Sequence, residues 1–212
     1  MANLNIPSTK DRTLDAFKGR MVGGGARPNL FECELYFPAD AIPSNTSSDE
    51  LEDKTRFLVK GAQLPESTIA TIQVPFRGRN LKIAGDRTFD PWTVTVINDS
   101  KFNIRDAMEQ WSNKINDLQF DVGDISPSNY QTKAEVFQLS RGGKTTSASS
   151  TGGESINVLR TYNFEGIYPS VVSSIPLDYG ATDSIEEFQV TFNYLFWTVG
   201  NGLPAAPAPG TT

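Results

Sequence analysis

Residues 57–99 read FLVKGAQLPESTIATIQVPFRGRNLKIAGDRTFDPWTVTVIND, and this segment decides the fold class. Its final part alternates with a period of two residues, which predicts a β-strand whose buried face carries Trp92, Val94 and Val96. The opposite face of that strand carries Thr93, Thr95 and Ile97. The turn-forming sequences LPES (64–67) and RGRN (77–80) separate further strands. The segment is therefore predicted to be a run of strands with a long hairpin in its middle.

Three motifs carry a resemblance to a known family. They are ARPNLF at 26–31, IAGDRTFDPWTVTV at 83–96 and EFQVTF at 187–192. The middle string is long and unusual, and is therefore far more specific than a single glycine motif. On these residues the chain resembles the tail tube proteins of contractile-tailed, T4-like bacteriophages. The resemblance covers most of the chain, apart from its ends and two insertions.

The resemblance implies a structural virion protein. Members of this family form hexameric rings whose strands join across subunits into one continuous inner β-barrel. The rings stack into the tail tube through which DNA is ejected inside a contractile sheath. The implied partners are other copies of the chain, the sheath protein, and the baseplate and tail terminator proteins. Genomic DNA would pass without specific binding. The implied location is the virion tail, assembled in the cytoplasm of the host bacterium.

The composition argues against most enzyme classes. The chain contains no histidine, which excludes Ser-His-Asp and Cys-His catalysis as well as histidine-based metal sites. The single cysteine, Cys33, alternates with Phe31 and Leu35 and is expected to be a buried structural thiol. We therefore predict no catalytic residue, no metal site and no cofactor. No apolar stretch is long enough for a membrane span.

Charge is distributed unevenly along the chain, whose formal net charge is −6. The first 28 residues are basic, whereas no Lys or Arg follows residue 160. The acidic residues of this last part include Glu165, Asp178, Asp183, Glu186 and Glu187. The asymmetry is typical of an ordinary solvated surface. In a self-assembling protein it would instead let a basic end meet an acidic face of the next subunit.

The remaining sequence predicts a mainly β domain at 26–199 between a flexible arm, 1–25, and a Pro/Ala-rich tail, 200–212. Strands are expected at 29–37, 56–64, 132–141, 155–164 and 185–197, and the long hairpin is expected to consist of 68–76 and 80–84. An acidic loop is expected at 38–54 and a low-complexity hairpin tip at 142–153. The arm, the tail and these two insertions are departures from the shorter family members. Within the arm, 13–17 is expected to form one helical turn.

One convincing helix is predicted, over 103–118, with Asn103 as its N-cap. It presents an apolar stripe at helical spacing, formed by Ile104, Ala107, Met108, Trp111, Ile115 and Leu118. Because such a stripe must be covered, the helix is expected to rest on a sheet. The predicted fold is an antiparallel β-sandwich or half-open barrel with one packed helix. Its core is expected to contain Trp92, Val94, Val96, Trp111, Ile115, Phe188 and Phe192.

The candidate contact residues lie on the long hairpin and just after it. Arg77, Arg79 and Asn80 occupy the predicted hairpin tip, where a turn would expose them to another subunit. Arg87 lies between Asp86 and Asp90, and two roles are open for it. It could make local ion pairs that fix a turn, or it could cross to a neighbouring subunit. Several strands look mixed on both faces, notably IATIQV at 69–74, which suggests edges that pair between subunits.

A tube that passes DNA needs a wall that does not hold it. A basic lumen would bind the phosphates by releasing their counterions, so a neutral or acidic wall is expected. The candidate polar wall residues are Thr93, Thr95, Gln189, Thr191 and Asn193.

Three other interpretations remain open at this stage. The same fold serves tube-initiating baseplate proteins and the inner tubes of contractile injection systems. A ligand-binding β-sandwich would need an exposed platform built from Trp92, Trp111 and Trp197. An enzyme would have to use the carboxylate clusters at 178–187, of which Glu186 and Glu187 would point to opposite faces of a strand.

Overall fold

The computed structural model describes residues 13–21, 25–120, 122–141 and 158–200. Seven strands form one antiparallel sheet in the order β1-β6-β7-β8-β5-β2, with β9 also paired to β7. They are β1 (Phe31–Leu35), β2 (Val59–Ala62), β5 (Trp92–Ile97), β6 (Thr132–Leu139), β7 (Val158–Val172), β8 (Glu187–Asn193) and β9 (Phe196–Gly200). The sheet is not closed within the monomer, and the prediction of a mainly β, antiparallel, half-open fold is confirmed.

A second, two-stranded sheet contains only β3 (Thr68–Phe76) and β4 (Arg79–Thr88). This is the long hairpin predicted from the sequence, and β4 is longer than the predicted 80–84. The linker, 142–153, and the tail, 200–212, lie outside the described residues, except for Gly200 at the end of β9.

The helices are α1 (Leu14–Arg20), α2 (Ser48–Leu58), α3 (Asn103–Ile115) and the short α4 (Pro127–Tyr130), with a 3₁₀ turn at Ala39–Ala41. Of these, α2 and α3 pack against the sheet, whereas α1 buries no residue. Helix α2 packs on β1, β2, β5 and α3, so it bridges the two edge strands of the open sheet. The prediction of a single helix is therefore wrong, although α1 confirms the helical turn expected at 13–17. None of the described helices is long and apolar enough to cross a membrane.

The loop predicted at 38–54 is wrong because much of it is helical. Ser47 caps α2 by accepting a hydrogen bond from the Glu50 amide at 3.2 Å. Glu50 three residues after Ser47 is the pattern of a capping box, a signal that could have revealed the helix from sequence. Leu51 and Thr55 are buried, Leu58 packs half-buried against the core, and the remaining positions of the helix are mostly charged or exposed. As a result, the strand predicted at 56–64 begins only at Val59.

Helix α3 packs its predicted stripe against the sheet. Ile104, Ala107, Met108 and Trp111 are buried, and burying Ile104 and Trp111 contributes about 1.5–3 kcal/mol each. The helix ends at Ile115, so Leu118 lies beyond it and is 94% exposed. The predicted cap is also wrong: Phe102, with φ 57°, is the N-cap residue, and the Asp99 carboxylate accepts from the Asn103 amide at 3.0 Å.

The strand predicted at 185–197 is interrupted. Its two parts, β8 and β9, both pair with β7 in one register, given by Tyr168 opposite Asn193 and Glu165 opposite Phe196. Between them the chain bends at 194–195, facing Gly166, which has φ 66°. Local alternation continued through the bend, which is why the sequence predicted one unbroken strand.

The core lies between the sheet and helices α2 and α3. Trp92 stacks on Phe164 at 4.3 Å between ring centroids, and its indole donates to the Gln63 carbonyl at 2.7 Å. Trp111 donates in the same way to the Tyr130 carbonyl at 2.7 Å. Of the residues expected in the core, Ile115 is half-buried at its edge. The others are buried: Trp92, Val94, Val96, Trp111, Phe188 and Phe192.

Candidate inter-subunit surface

The β3–β4 hairpin is the largest uncovered element among the described residues. Every position of both strands is exposed except Gly85, which is half-buried. An isolated two-stranded hairpin is marginally stable in water, because it has no third strand or helix to cover it. The hairpin therefore presents a surface that needs a partner.

The two faces of the hairpin differ sharply in polarity. Ile72 pairs with Ile83, and Val74 pairs with Leu81, so these four side chains lie on one face together with Phe76. Their exposed fractions run from 42% for Val74 to 66% for Phe76. We refer to this surface as the apolar hairpin face, formed by Ile72, Val74, Phe76, Leu81 and Ile83. The opposite face carries polar side chains such as Gln73 and Lys82, which pair across the strands.

A β-bulge interrupts the pairing of the hairpin at the segment IATIQV, which looked mixed on both faces. The register shifts between Ile69 and Thr71, where Gly85 and Asp86 lie opposite the single residue Ala70. A Cβ on Gly85 would lie 3.1 Å from the Ala70 carbonyl oxygen, so glycine fits this close approach. Beyond the bulge, Ile69 lies opposite Arg87 on the polar face, separate from the continuous apolar surface nearer the tip.

The hairpin tip is a two-residue turn with positive φ at both central residues, Arg77 at 44° and Gly78 at 81°. This is the geometry of a type I′ turn, whose twist matches that of the flanking strands. The Arg77 guanidinium lies over the Phe76 ring at 5.3 Å. Arg79 pairs with Phe76, whereas Asn80 lies on the polar face and donates to the Gln73 side chain at 3.1 Å.

The arginines of the hairpin have no acidic partner in the described part of the chain. None of the ion pairs found there includes Arg77, Arg79 or Arg87. Residues 85–88 belong to β4, so Arg87 lies in a strand and not in the turn that the local alternative required. The structure thus brings Arg77, Arg79 and Asn80 together at the tip and places Asp86 and Arg87 at the bulge.

A small cavity of about 150 Å³ lies at the base of the hairpin. Asp90 and Glu66 line it together with Tyr194 and Trp92. The Tyr194 hydroxyl donates to the Glu66 carbonyl at 3.4 Å. The pKa of Tyr194 is raised, first by burial and then by the charges of Asp90 and Glu66. The base of the hairpin is thus acidic, in contrast with its arginine-bearing tip.

Strands β5 and β8 bring the candidate polar wall residues together. Thr93 pairs with Thr191, and Thr95 pairs with Gln189, on the face opposite the core pairs. The two threonine hydroxyls lie 3.1 Å apart. Asn193 continues this surface and lies opposite Tyr168 on β7. We refer to this uncharged surface as the polar sheet face, formed by Thr93, Thr95, Gln189, Thr191 and Asn193.

Two features of the site bear on the alternative functions. Trp92 and Trp111 are 3% and 1% exposed, so they cannot form an exposed sugar-binding platform with Trp197. Cys33 is fully buried, and burial raises the pKa of its thiol far above the usual range, so the thiolate that a nucleophile requires is strongly disfavoured.

Comparison with known sequences identifies the family. The profile described as phage tail tube protein matches residues 26–200. The chain belongs to the phage tail tube protein family. It is 30% identical over 175 residues to tail tube protein gp19 of Enterobacteria phage T4, covering 82% of this chain and 92% of that protein. It is 26% identical over 184 residues to the tail tube protein of Serratia phage KSP90, covering 86% and 94% of the two chains.

Solved structures show the same fold at low sequence identity. One is the sheath/tube terminator of the PVC extracellular contractile injection system, with a TM-score of 0.54 and 11% identity, covering 83% of this chain and 96% of that chain. Another is the tube-terminating cap of the anti-feeding prophage, with a TM-score of 0.54 and 14% identity, covering 84% and 92%. Family membership makes this protein a structural component of a contractile phage tail tube.

Proposed function

We propose that copies of this tail tube protein assemble into hexameric rings that stack into the inner tail tube, the conduit for DNA ejection inside the contractile sheath. The observation that carries the proposal is the apolar hairpin face. Five apolar side chains on adjacent strands stay exposed in the monomer, although their burial is favourable. Docking the hairpin on the next copy covers this face and closes the open sheet across subunits.

Electrostatic contacts give such an assembly its orientation. Arg77 and Arg79 lie at the hairpin tip, and the carboxylates of Glu66 and Asp90 line the cavity at its base. The hairpin is basic at its tip and acidic at its base. This favours a contact in which all copies point the same way, because like charges would meet if one copy were reversed. In this arrangement Arg79 contributes to the stacking of one ring on the next.

The polar sheet face fits the wall of a DNA conduit. Its five side chains are hydroxyls and amides, which carry no charge that would hold phosphates by counterion release. Glu187, next along β8, is paired with Lys60 at 2.6 Å, which neutralises the nearest carboxylate. A wall of this chemistry lets a duplex pass without specific binding.

The partners of the tube follow from its place in the tail. We propose contacts with the sheath protein on the outside, with the baseplate where the tube starts and with the terminator where it ends. Assembly is proposed to occur in the cytoplasm of the host bacterium. The proposed role is structural rather than catalytic and calls for no cofactor.

Negative-stain electron microscopy of the purified protein over a range of concentrations tests the proposal. Six-fold rings or hollow tubes, formed alone or after addition of preformed baseplates, are the expected result. Tubes that appear only with baseplates would show that nucleation requires a template. A monomer that stays monodisperse even with baseplates would refute the proposal.

A further inference from the structure

We propose that helix α1 of one copy docks into an acidic groove at the far end of a second copy. The family profile matches residues 26–200, so α1, at Leu14–Arg20, lies outside the matched residues. This contact rests on the proposed self-assembly. It adds a second interface between copies, formed by α1 and the groove, to the one proposed for the hairpin.

Helix α1 is amphipathic and nothing covers it among the described residues. Leu14, Phe17 and Met21 follow one another at helical spacing and are 66%, 61% and 44% exposed. The helix buries no residue, and its last turn carries Lys18 and Arg20. A helix of seven residues is marginal in water unless tertiary packing supports it, so the exposed apolar stripe indicates a docking surface elsewhere.

The groove has the complementary character. It has a volume of about 560 Å³ and lies in the segment that connects β7 to β8, lined by apolar Ile175, Leu177 and Ile185 and by acidic Asp178 and Glu186. Leu177 and Ile185 are 82% and 71% exposed. No basic residue lines the groove. It therefore offers apolar contacts to the stripe of α1 and carboxylates to the basic last turn of that helix.

Helix α1 does not occupy the groove of its own chain, because it buries no residue there or elsewhere. The Gln138 side chain donates to the Arg27 carbonyl at 2.8 Å, which anchors the segment after α1 beside the end of β6. Gln138 lies opposite Arg160, near the start of β7, whereas the residues that line the groove follow the end of that strand at Val172.

The anchor at Arg27 and the groove thus lie at opposite ends of β7. That is the arrangement required for a head-to-tail contact, in which one end of a copy meets the other end of the next. The basic arm and the acidic last third of the chain, separated in sequence, then meet between copies. Salt weakens the charged part of this contact, while the apolar stripe makes the part that salt does not screen.

Disulfide cross-linking in the assembled full-length protein tests the contact. One chain carries Phe17→Cys, a second carries Leu177→Cys, and both keep Cys33, whose thiol is buried and does not compete. The matched control replaces Leu177→Cys by Leu118→Cys, at a site that is 94% exposed. The heterodimer of Phe17→Cys with Leu177→Cys should form on the order of a hundredfold faster than that with Leu118→Cys, because docking raises the effective thiol concentration.

The outcomes separate the two proposals. Equal rates with both cysteine partners, in tubes that form normally by electron microscopy, would overturn the α1 contact and leave the tube function standing. A single chain carrying both Phe17→Cys and Leu177→Cys that closes an internal disulfide as a monomer would also overturn it. Failure of the parent chain itself to form rings or tubes, with or without baseplates, would refute the tube function and the contact together.

Discussion

Replacing Leu81 by serine tests whether the apolar hairpin face is an interface. Leu81 is 61% exposed in the monomer and pairs with Val74 at the centre of that face. Complete burial of a leucine side chain is worth about 1.5–3 kcal/mol, so covering the exposed part contributes roughly 1–2 kcal/mol to each contact. Leu81→Ser should therefore weaken each contact by about 5- to 30-fold.

The monomer should be unaffected, because the substitution is made at an exposed position where effects are usually within about 0.5 kcal/mol. The assay is the concentration at which the protein begins to sediment as rings or tubes, measured beside a thermal melt followed by circular dichroism. Lys82→Ser, one residue along on the polar face of the same hairpin, is the matched control. If Leu81→Ser assembles at the same concentration as the parent chain, the hairpin face is not an interface and the reasoning fails.

Three further substitutions test other parts of the structure. Arg79→Glu should shorten or abolish tubes by weakening ring stacking while the monomer melts unchanged, and tubes of parental length would contradict that role. Thr55→Val should lower the free energy of unfolding by about 1–3 kcal/mol, because the Leu35 amide donates to the buried Thr55 hydroxyl at 3.2 Å; Thr55→Ser should preserve most of the stability in a urea titration. Gly166→Ala should destabilise the chain by roughly 1–3 kcal/mol, since φ is 66° and the new Cβ would lie 2.6 Å from Leu195. A Gly166→Ala variant as stable as the parent chain would contradict this prediction. Adding Leu195→Ala should restore only the part of the lost stability that comes from the clash with Leu195.

The strands that alternate strictly were predictable from the sequence. In β5 and β8, apolar residues that face the core alternate with mainly polar residues that face outward. Valine lies opposite valine in the pair Val94 and Val190, and threonine lies opposite threonine in the pair Thr93 and Thr191. The hairpin was predictable from its turn residues. The stripe of α3 was predictable from Ile104 to Trp111, because four of its positions repeat at helical spacing.

The missed elements depend on information that is not local. Helix α2 has few apolar residues, because it bridges two strand edges with Leu51 and Thr55 and leaves its charged side in solvent. The bend between β8 and β9 is set by Gly166, on the strand opposite, which periodicity within residues 185–197 cannot report. The bulge at Gly85 is accompanied by a close approach to Ala70 across the hairpin, which the pattern within one strand cannot report.

Electron cryomicroscopy of the assembled tube would show whether the hairpin is an interface and the polar sheet face is the wall. We expect six copies in each ring, with the apolar hairpin face of each copy buried against a neighbour and the polar sheet face lining the lumen. A tube in which β3 and β4 project freely into solvent, with Leu81 uncovered, would contradict it.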